Sequence, residues 1–138
     1  MRKIVFVLLF TIVVESVSVY AETWAQFIQR AHTMTENFYN GINRGHWSAW
    51  GDDKWGALMA TTYWLEDALE DIFLNAPHLS QSERNIYRGM WQRRRTQSDN
   101  MSRLIDLAGF SNSRRRNIVS RWEHWERHLN NGGTIMIN

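Results

Sequence analysis

The chain has no cysteine, a single proline and almost no excess of charge of either sign. Without cysteine there is no disulfide framework, thiolate zinc site, iron–sulfur cluster, covalently attached c-type haem or cysteine nucleophile. One proline, Pro77, among 138 residues argues against a proline-rich linker, a collagen-like repeat and a turn-rich β-sandwich. A formal net charge of +2 gives no footprint of non-specific nucleic-acid binding. What the chain has in quantity is tryptophan, eight residues of it, in a composition that is 43% hydrophobic and 22% charged. That is the balance of a folded globular domain, and the length suits one.

The N-terminus reads as an address. Arg2 and Lys3 supply a positive start, and Ile4 to Val14 (IVFVLLFTIVV) is an apolar run of eleven positions broken only by a threonine. A polar stretch follows, and Val19-Tyr20-Ala21 suits a secretory cleavage site, so residues 1–21 are expected to be a signal peptide cut after Ala21. A membrane anchor needs about 20 apolar residues, nearly twice this run. No second run of spanning length follows, so the mature protein is expected in the periplasm of a bacterium or the secreted space of a eukaryote. Membrane contact is then expected only through the signal peptide during export. Losing Arg2, Lys3 and Glu15 takes the formal charge from +2 to +1.

The remainder divides into an expected helical domain over residues 22–131 and a tail over 132–138. Four segments carry helical apolar spacing. In the first, from about residue 22 to 42, Trp24, Phe27, Ile28, Ala31, Met34, Phe38 and Ile42 form one stripe, ended by Gly41, Asn43 and Gly45. The second opens at Asp52, a candidate N-cap, and carries Trp55, Leu58, Met59, Thr62, Leu65, Leu69, Ile72 and Phe73, with Trp64 off the stripe. Asn75 and Pro77 stop it. A capping box, Ser80-x-x-Glu83, starts the third. Its apolar ends, Ile86 to Trp91 and Met101 to Ala108, flank a polar stretch, Arg93 to Asn100, where a kink or a polar layer is expected. The fourth starts near Ser111 or Ser113, is expected to bury Ile118, Val119, Trp122, Trp125 and Leu129, and stops at Asn131-Gly132-Gly133.

Four helices joined by short connections predict an all-α fold, a single four-helix bundle running up-down-up-down. Charge complementarity supports it. Asp52 to Asp71 holds six carboxylates against one lysine, and Arg84 to Arg121 holds ten arginines against two aspartates. Folding the second helix on the third sets Asp67 and Asp71 opposite Arg88 and Arg84. Folding the fourth on the third brings Glu126 opposite Arg94 and Glu123 near Arg95. Such pairs select neighbours more than they stabilise.

Among chemistry-bearing groups, His124 and His128 are spaced to face one metal, and His32 and Glu36 form a similar pair on a helix that can neighbour them. A di-iron bundle requires Glu-x-x-His, which does not occur. Met34 and His124 are a conceivable axial pair for haem, but methionine at stripe spacing reads first as core. Glu66, Asp67, Glu70 and Asp71 cluster on a helical face opposite arginines, where hydrolysis would need a carboxylate pair in a cleft. Serine-nucleophile and phosphate-loop signatures are absent. Arg93–Arg95 and Arg114–Arg116 read as solvated faces paired to acids, with a carboxylate polymer or phosphate as the other option. The remaining candidate is HWSAWGDDKW, His46 to Trp55, with Trp47, Trp50 and Trp55 at the connection between the first two helices. Loop indoles either close the end of a helical core or meet a partner: a protein groove, a glycan or a membrane interface. The sequence therefore predicts an exported, non-catalytic binding protein, with no cofactor or metal, that engages an envelope protein through Trp47, Trp50 and Trp55. A periplasmic metal or haem carrier and a glycan- or membrane-active protein are the alternatives.

Overall fold

A computed structural model describes residues 23–133. The expected cut after Ala21 lies outside them, as do the last residues, 134–138. The described chain is four α-helices, α1 (Trp24–Asn43), α2 (Asp52–Asn75), α3 (Gln81–Leu107) and α4 (Asn112–Asn130), with a short 3₁₀ turn at His46–Ala49. No strand occurs among the described residues.

Side-chain caps fix three of the four starts. Thr23 accepts from the Gln26 amide at 3.1 Å and Gln26 returns the bond, so α1 opens on a capping box. Ser80 and Glu83 do the same for α3, and Ser111 caps α4 through the Arg114 amide at 3.1 Å. These bonds satisfy amides that a helix start otherwise leaves bare. The second helix differs from expectation: Gly51 is the N-cap and makes no side-chain bond, while Asp52 is the first helical residue. The Asp52 carboxylate is turned to Arg114 of α4 instead. At the other end Pro77 and His78, the latter at φ 65°, turn the chain into α3.

The expected apolar stripe of α2 is buried throughout, and so is much of the rest of that helix. Trp55, Gly56, Ala57, Leu58, Met59, Ala60, Thr61 and Thr62 are buried in succession. Beyond Thr62 a partly exposed face appears at Tyr63, Glu66, Asp67 and Glu70, but Trp64, off the expected stripe, is buried because α1 covers it, with ring centroids 5.6 Å from Trp24 and 5.4 Å from Phe27. All three other helices pack on α2, α4 most extensively. Trp24 meets Trp64 while Phe38 meets Trp50, so α1 and α2 run in opposite senses. Glu66 reaches Ser98 and Phe73 reaches Trp91, which sets α3 antiparallel to α2 as well.

This central position of α2 corrects the expected ion pairs. Because α4 lies on α2, Arg94 of α3 pairs with Glu36 of α1, not with Glu126. Arg84 donates to the Phe73 carbonyl, and the Asp71 carboxylate accepts from Asn75 at 2.8 Å. Acids at the start of α2 pair with arginines of α4: Asp52 with Arg114 at 2.7 Å and Asp53 with Arg121 at 2.6 Å. Val119, expected inside, is 42% exposed, and Ile86 is 60% exposed.

Gly56 makes the α2–α4 contact possible. A methyl group there would lie 2.5 Å from the Arg121 Cβ and 2.7 Å from the Trp122 amide nitrogen. The obstacle is backbone, so it cannot turn aside. Two turns further along α2, Tyr63 stacks on Trp122 with centroids 5.1 Å apart and planes 16° apart. Gly56→Ala should therefore force the two helices apart, costing about 1–3 kcal/mol despite alanine's better helix propensity. Urea unfolding followed by circular dichroism measures this. A gain in stability would mean that the helices do not approach this closely.

Candidate functional site

Two assemblies in the bundle hold functional groups. The first is at the end where α1 passes into α2. Trp55 is wholly buried and forms its centre, with Trp50 at 5.2 Å, Phe110 at 5.6 Å and Trp47 at 6.1 Å between ring centroids. Trp50 also meets Phe38 at 5.6 Å, and Trp47 meets Phe110 at 6.3 Å. Most of these pairs are edge-to-face, the arrangement that ring quadrupoles favour. Trp47 and Trp50 remain half-buried, packed against the core.

The connection carrying these rings is fastened from α4. Arg114 donates to the Asp52 carboxylate at 2.7 Å and to the Trp50 carbonyl at 2.5 Å, and its guanidinium lies 4.2 Å from the centre of the Phe110 ring. The Lys54 ammonium sits 4.8 Å from the centre of Trp50. Such cation–π contacts are worth about 0.5–1 kcal/mol at exposed sites and hold a ring in place. Of the three tryptophans singled out by sequence, Trp55 is core and Trp47 and Trp50 are its half-open cover. Sequence reading missed Phe38, Lys54, Phe110 and Arg114 as members. The available signal was Phe110 beside the α3–α4 turn, which two antiparallel hairpins bring to this same end.

The second assembly is the polar layer expected near Arg93 to Asn100. The helix is continuous through it, since α3 runs unbroken from Gln81 to Leu107. Arg94 is completely buried and bonds the Glu36 carboxylate. Arg93 grips the same carboxylate with Nε at 2.9 Å and Nη2 at 3.2 Å, a two-pronged contact. Gln97 adds a bond to Glu36 at 3.3 Å, and the Tyr39 hydroxyl donates to the Gln97 carbonyl at 2.9 Å. Beyond these, Ser98 donates to Glu66 at 2.9 Å. Arg94 Nε and Nη1 and Gln97 Oε1 find no hydrogen-bond partner among the described residues.

The charges in this layer perturb one another. Burial lowers the Arg94 pKa to about 10, against the pull of Glu36 and Tyr39, so the guanidinium stays charged at neutral pH. Burial works to raise Glu36, but the Arg93 hydrogen bond and the Arg94 charge outweigh it and hold the carboxyl below its usual range. Burial and then the Arg94 charge push the His32 imidazole down. Burial raises Glu66.

The metal-spaced residues do not come together as one site. Glu36 is committed to two arginines, His32 is beside them, and His124 lies at the Asp53 end of α2 with its ring 5.3 Å from Trp125. The His128 ring also meets Trp125, edge-to-face at 5.6 Å. No group of three or more His, Asp or Glu suited to a metal occurs among the described residues. Met34 packs against both halves of the hydrophobic core.

The layer generates two measurable outcomes. Glu36→Gln leaves the Arg94 charge buried without a counter-charge and should cost about 3 kcal/mol, the low end for a broken buried pair because Glu36 is still partly wet. Adding Arg94→Met to that variant should restore much of the loss, measured by urea unfolding. Acidification is the second probe. His32 resists protonation when folded, so stability should fall as pH drops through its ordinary value of 6.5. Glu36 contributes stability above about 4.5 that disappears below its depressed folded value, with Glu66 opposing in the same acid range. Thermal midpoints between pH 7.5 and 5.5, to about a half unit, should decline in the native chain and flatten in His32→Gln. An equal decline in both would remove His32 from the account.

Compared with protein-family models, curated proteins and solved structures, the chain matches none.

Proposed function

We propose that this chain is an exported helical-bundle protein that acts by binding rather than catalysis. In this reading it is an accessory or assembly component of a cell-envelope apparatus such as one for secretion or conjugation. Residues 1–21 direct export and are cut after Ala21, and the up-down-up-down bundle works in the periplasm. Its partner is an envelope protein, and nucleic acid is not among its ligands.

One observation carries the reading: Trp47 and Trp50 stay half-open at the surface while their inner faces are held on Trp55, Phe38 and Phe110. Tryptophan and arginine dominate the energetics of protein interfaces, and rings already fixed in place lose little freedom on binding. Arg114 and Lys54 keep them fixed here. No helix among the described residues is long and apolar enough to cross a membrane.

A photoreactive residue placed at 47 or 50 in living cells should trap one discrete envelope protein, whereas the same probe at exposed Gln81, on the far end, should not. The exported form should begin at Glu22 by N-terminal sequencing. Retention of the whole chain inside the cell, or an identical capture pattern from position 81, would count against the proposal.

A further inference from the structure

Helix α4 covers α2 with one face and leaves the opposite one to water. Ile118 and Leu129 are buried, and Trp122 and Trp125 pack against the core. On the other side Arg116, Val119, Ser120 and Glu123 are exposed and line a shallow depression of about 330 Å³ together with Arg115. Offsets of three, four and seven residues put the four on one stripe of the helix. Arg115 is engaged within the chain, with the Asp106 carboxylate at 3.6 Å and the Phe110 carbonyl at 3.2 Å. Arg116 and Glu123 make no ion pair among the described residues, and they stand two turns apart, about 10 Å along the axis. The stripe thus carries opposite charges at its two ends and one apolar and one small side chain between them.

That pattern complements itself. When a second copy of α4 is turned end for end about the point midway between Val119 and Ser120, Arg116 faces Glu123 of the second copy and Glu123 faces its Arg116. Each Val119 then faces a Ser120. Further out, exposed Arg127 comes level with exposed Asn112, whose amide oxygen can accept from it. A two-fold interface requires such reciprocity. Parallel pairing is opposed by the same charges, since it would set arginine against arginine and glutamate against glutamate.

We infer that this chain self-associates through the outward face of α4 as an antiparallel two-fold dimer, with two Arg116–Glu123 pairs around a Val119–Ser120 centre. Charge complementarity points to a second copy because one short stretch of α4 supplies both halves of it. A single helix face makes a small interface, so the dimer is weak and sensitive to salt. Trp47 and Trp50 take no part in it, and the inference does not depend on their role. It does place them: α4 begins at the aromatic end, where Arg114 bonds Asp52, so an antiparallel pair carries its two aromatic ends at opposite extremes.

Sedimentation velocity on the full chain should show a monomer–dimer equilibrium at about 0.1–1 mM, moved toward monomer by added salt. Arg116→Glu and Glu123→Arg should each weaken it about tenfold or more, because each sets like charges opposite one another twice. Mixed in equal amounts, the two variants should pair with each other, and the double variant should self-associate again. Circular dichroism should stay unchanged throughout, the substituted side chains being exposed. The chain has no cysteine, so an introduced one is a unique probe of register. A short bis-maleimide should join Ser120→Cys chains, whose two positions differ in height by about 2 Å, and spare Arg127→Cys chains, where they differ by about 22 Å. A chain that stays monomeric at about 1 mM overturns the inference and leaves the stripe to a different protein. Association that survives in both single variants, a mixture that does not restore it, or cross-linking from position 127 in preference to 120 overturns it as well.

Discussion

A helix with apolar or small side chains on every side must be surrounded, and the rest of this bundle follows from surrounding α2. From Trp55 to Thr62 it presents nothing to water. Three helices supply the cover, and the closest of them reaches it only because residue 56 lacks a Cβ. Helix packing ordinarily leaves axes about 8–10 Å apart, set by the side chains between them. A glycine facing backbone leaves no room for even a methyl group between α2 and α4 at this point, and along the same contact Tyr63 stacks on Trp122. Without disulfides in the chain, this packing has no covalent substitute.

Once α2 is the hub, the role of α3 changes. Its buried positions are Arg94, Gln97, Ser98 and Met101, three of them polar, so the α1–α3 contact is made through charge. A layer of that kind contributes less to stability than apolar packing of the same volume would. What it supplies is geometry: Glu36 can satisfy Arg93 and Arg94 together only when α1 and α3 are set at one height and rotation. The cost of leaving either arginine without Glu36 penalises sliding of α3 along α1. Placing the layer in the middle of α3 leaves the apolar residues of that helix to its two ends, where they meet the two halves of the hydrophobic core.

Much of this was legible in the sequence, and the failures share a cause. Helical period, the Ser80 capping box and the glycine stops place the elements because those signals are local. The stripe of α1 also held, since α1 buries a single face. Trp64, Val119 and the ion pairs of Arg94 failed because each depends on which helix neighbours which. Apolar stripes do not specify that order when one helix, α2, is apolar or small on every side from Trp55 to Thr62. The clue was in its composition: Gly56, Ala57, Ala60, Thr61 and Thr62 put small residues on the faces between the large ones, as close packing on more than one side requires. The polar stretch of α3 carried its own clue, for a run of eight residues without a large apolar side chain in a helix capped at both ends has to face polar partners.

The aromatic end follows from the same hub. Trp55 fills the place where α2 begins, too near the end of the bundle for three helices to enclose it, so the α1–α2 connection and Phe110 complete the enclosure. A closing layer made of small side chains would cover Trp55 and offer nothing outward. One made of indoles covers it and still leaves both rings partly exposed, with the connection held by Arg114 and Trp50 by Lys54. Order that stability requires is then the same order that recognition requires, and a partner need not supply it. On the proposed reading, the end that must be rigid to protect the core is for that reason the end that can bind.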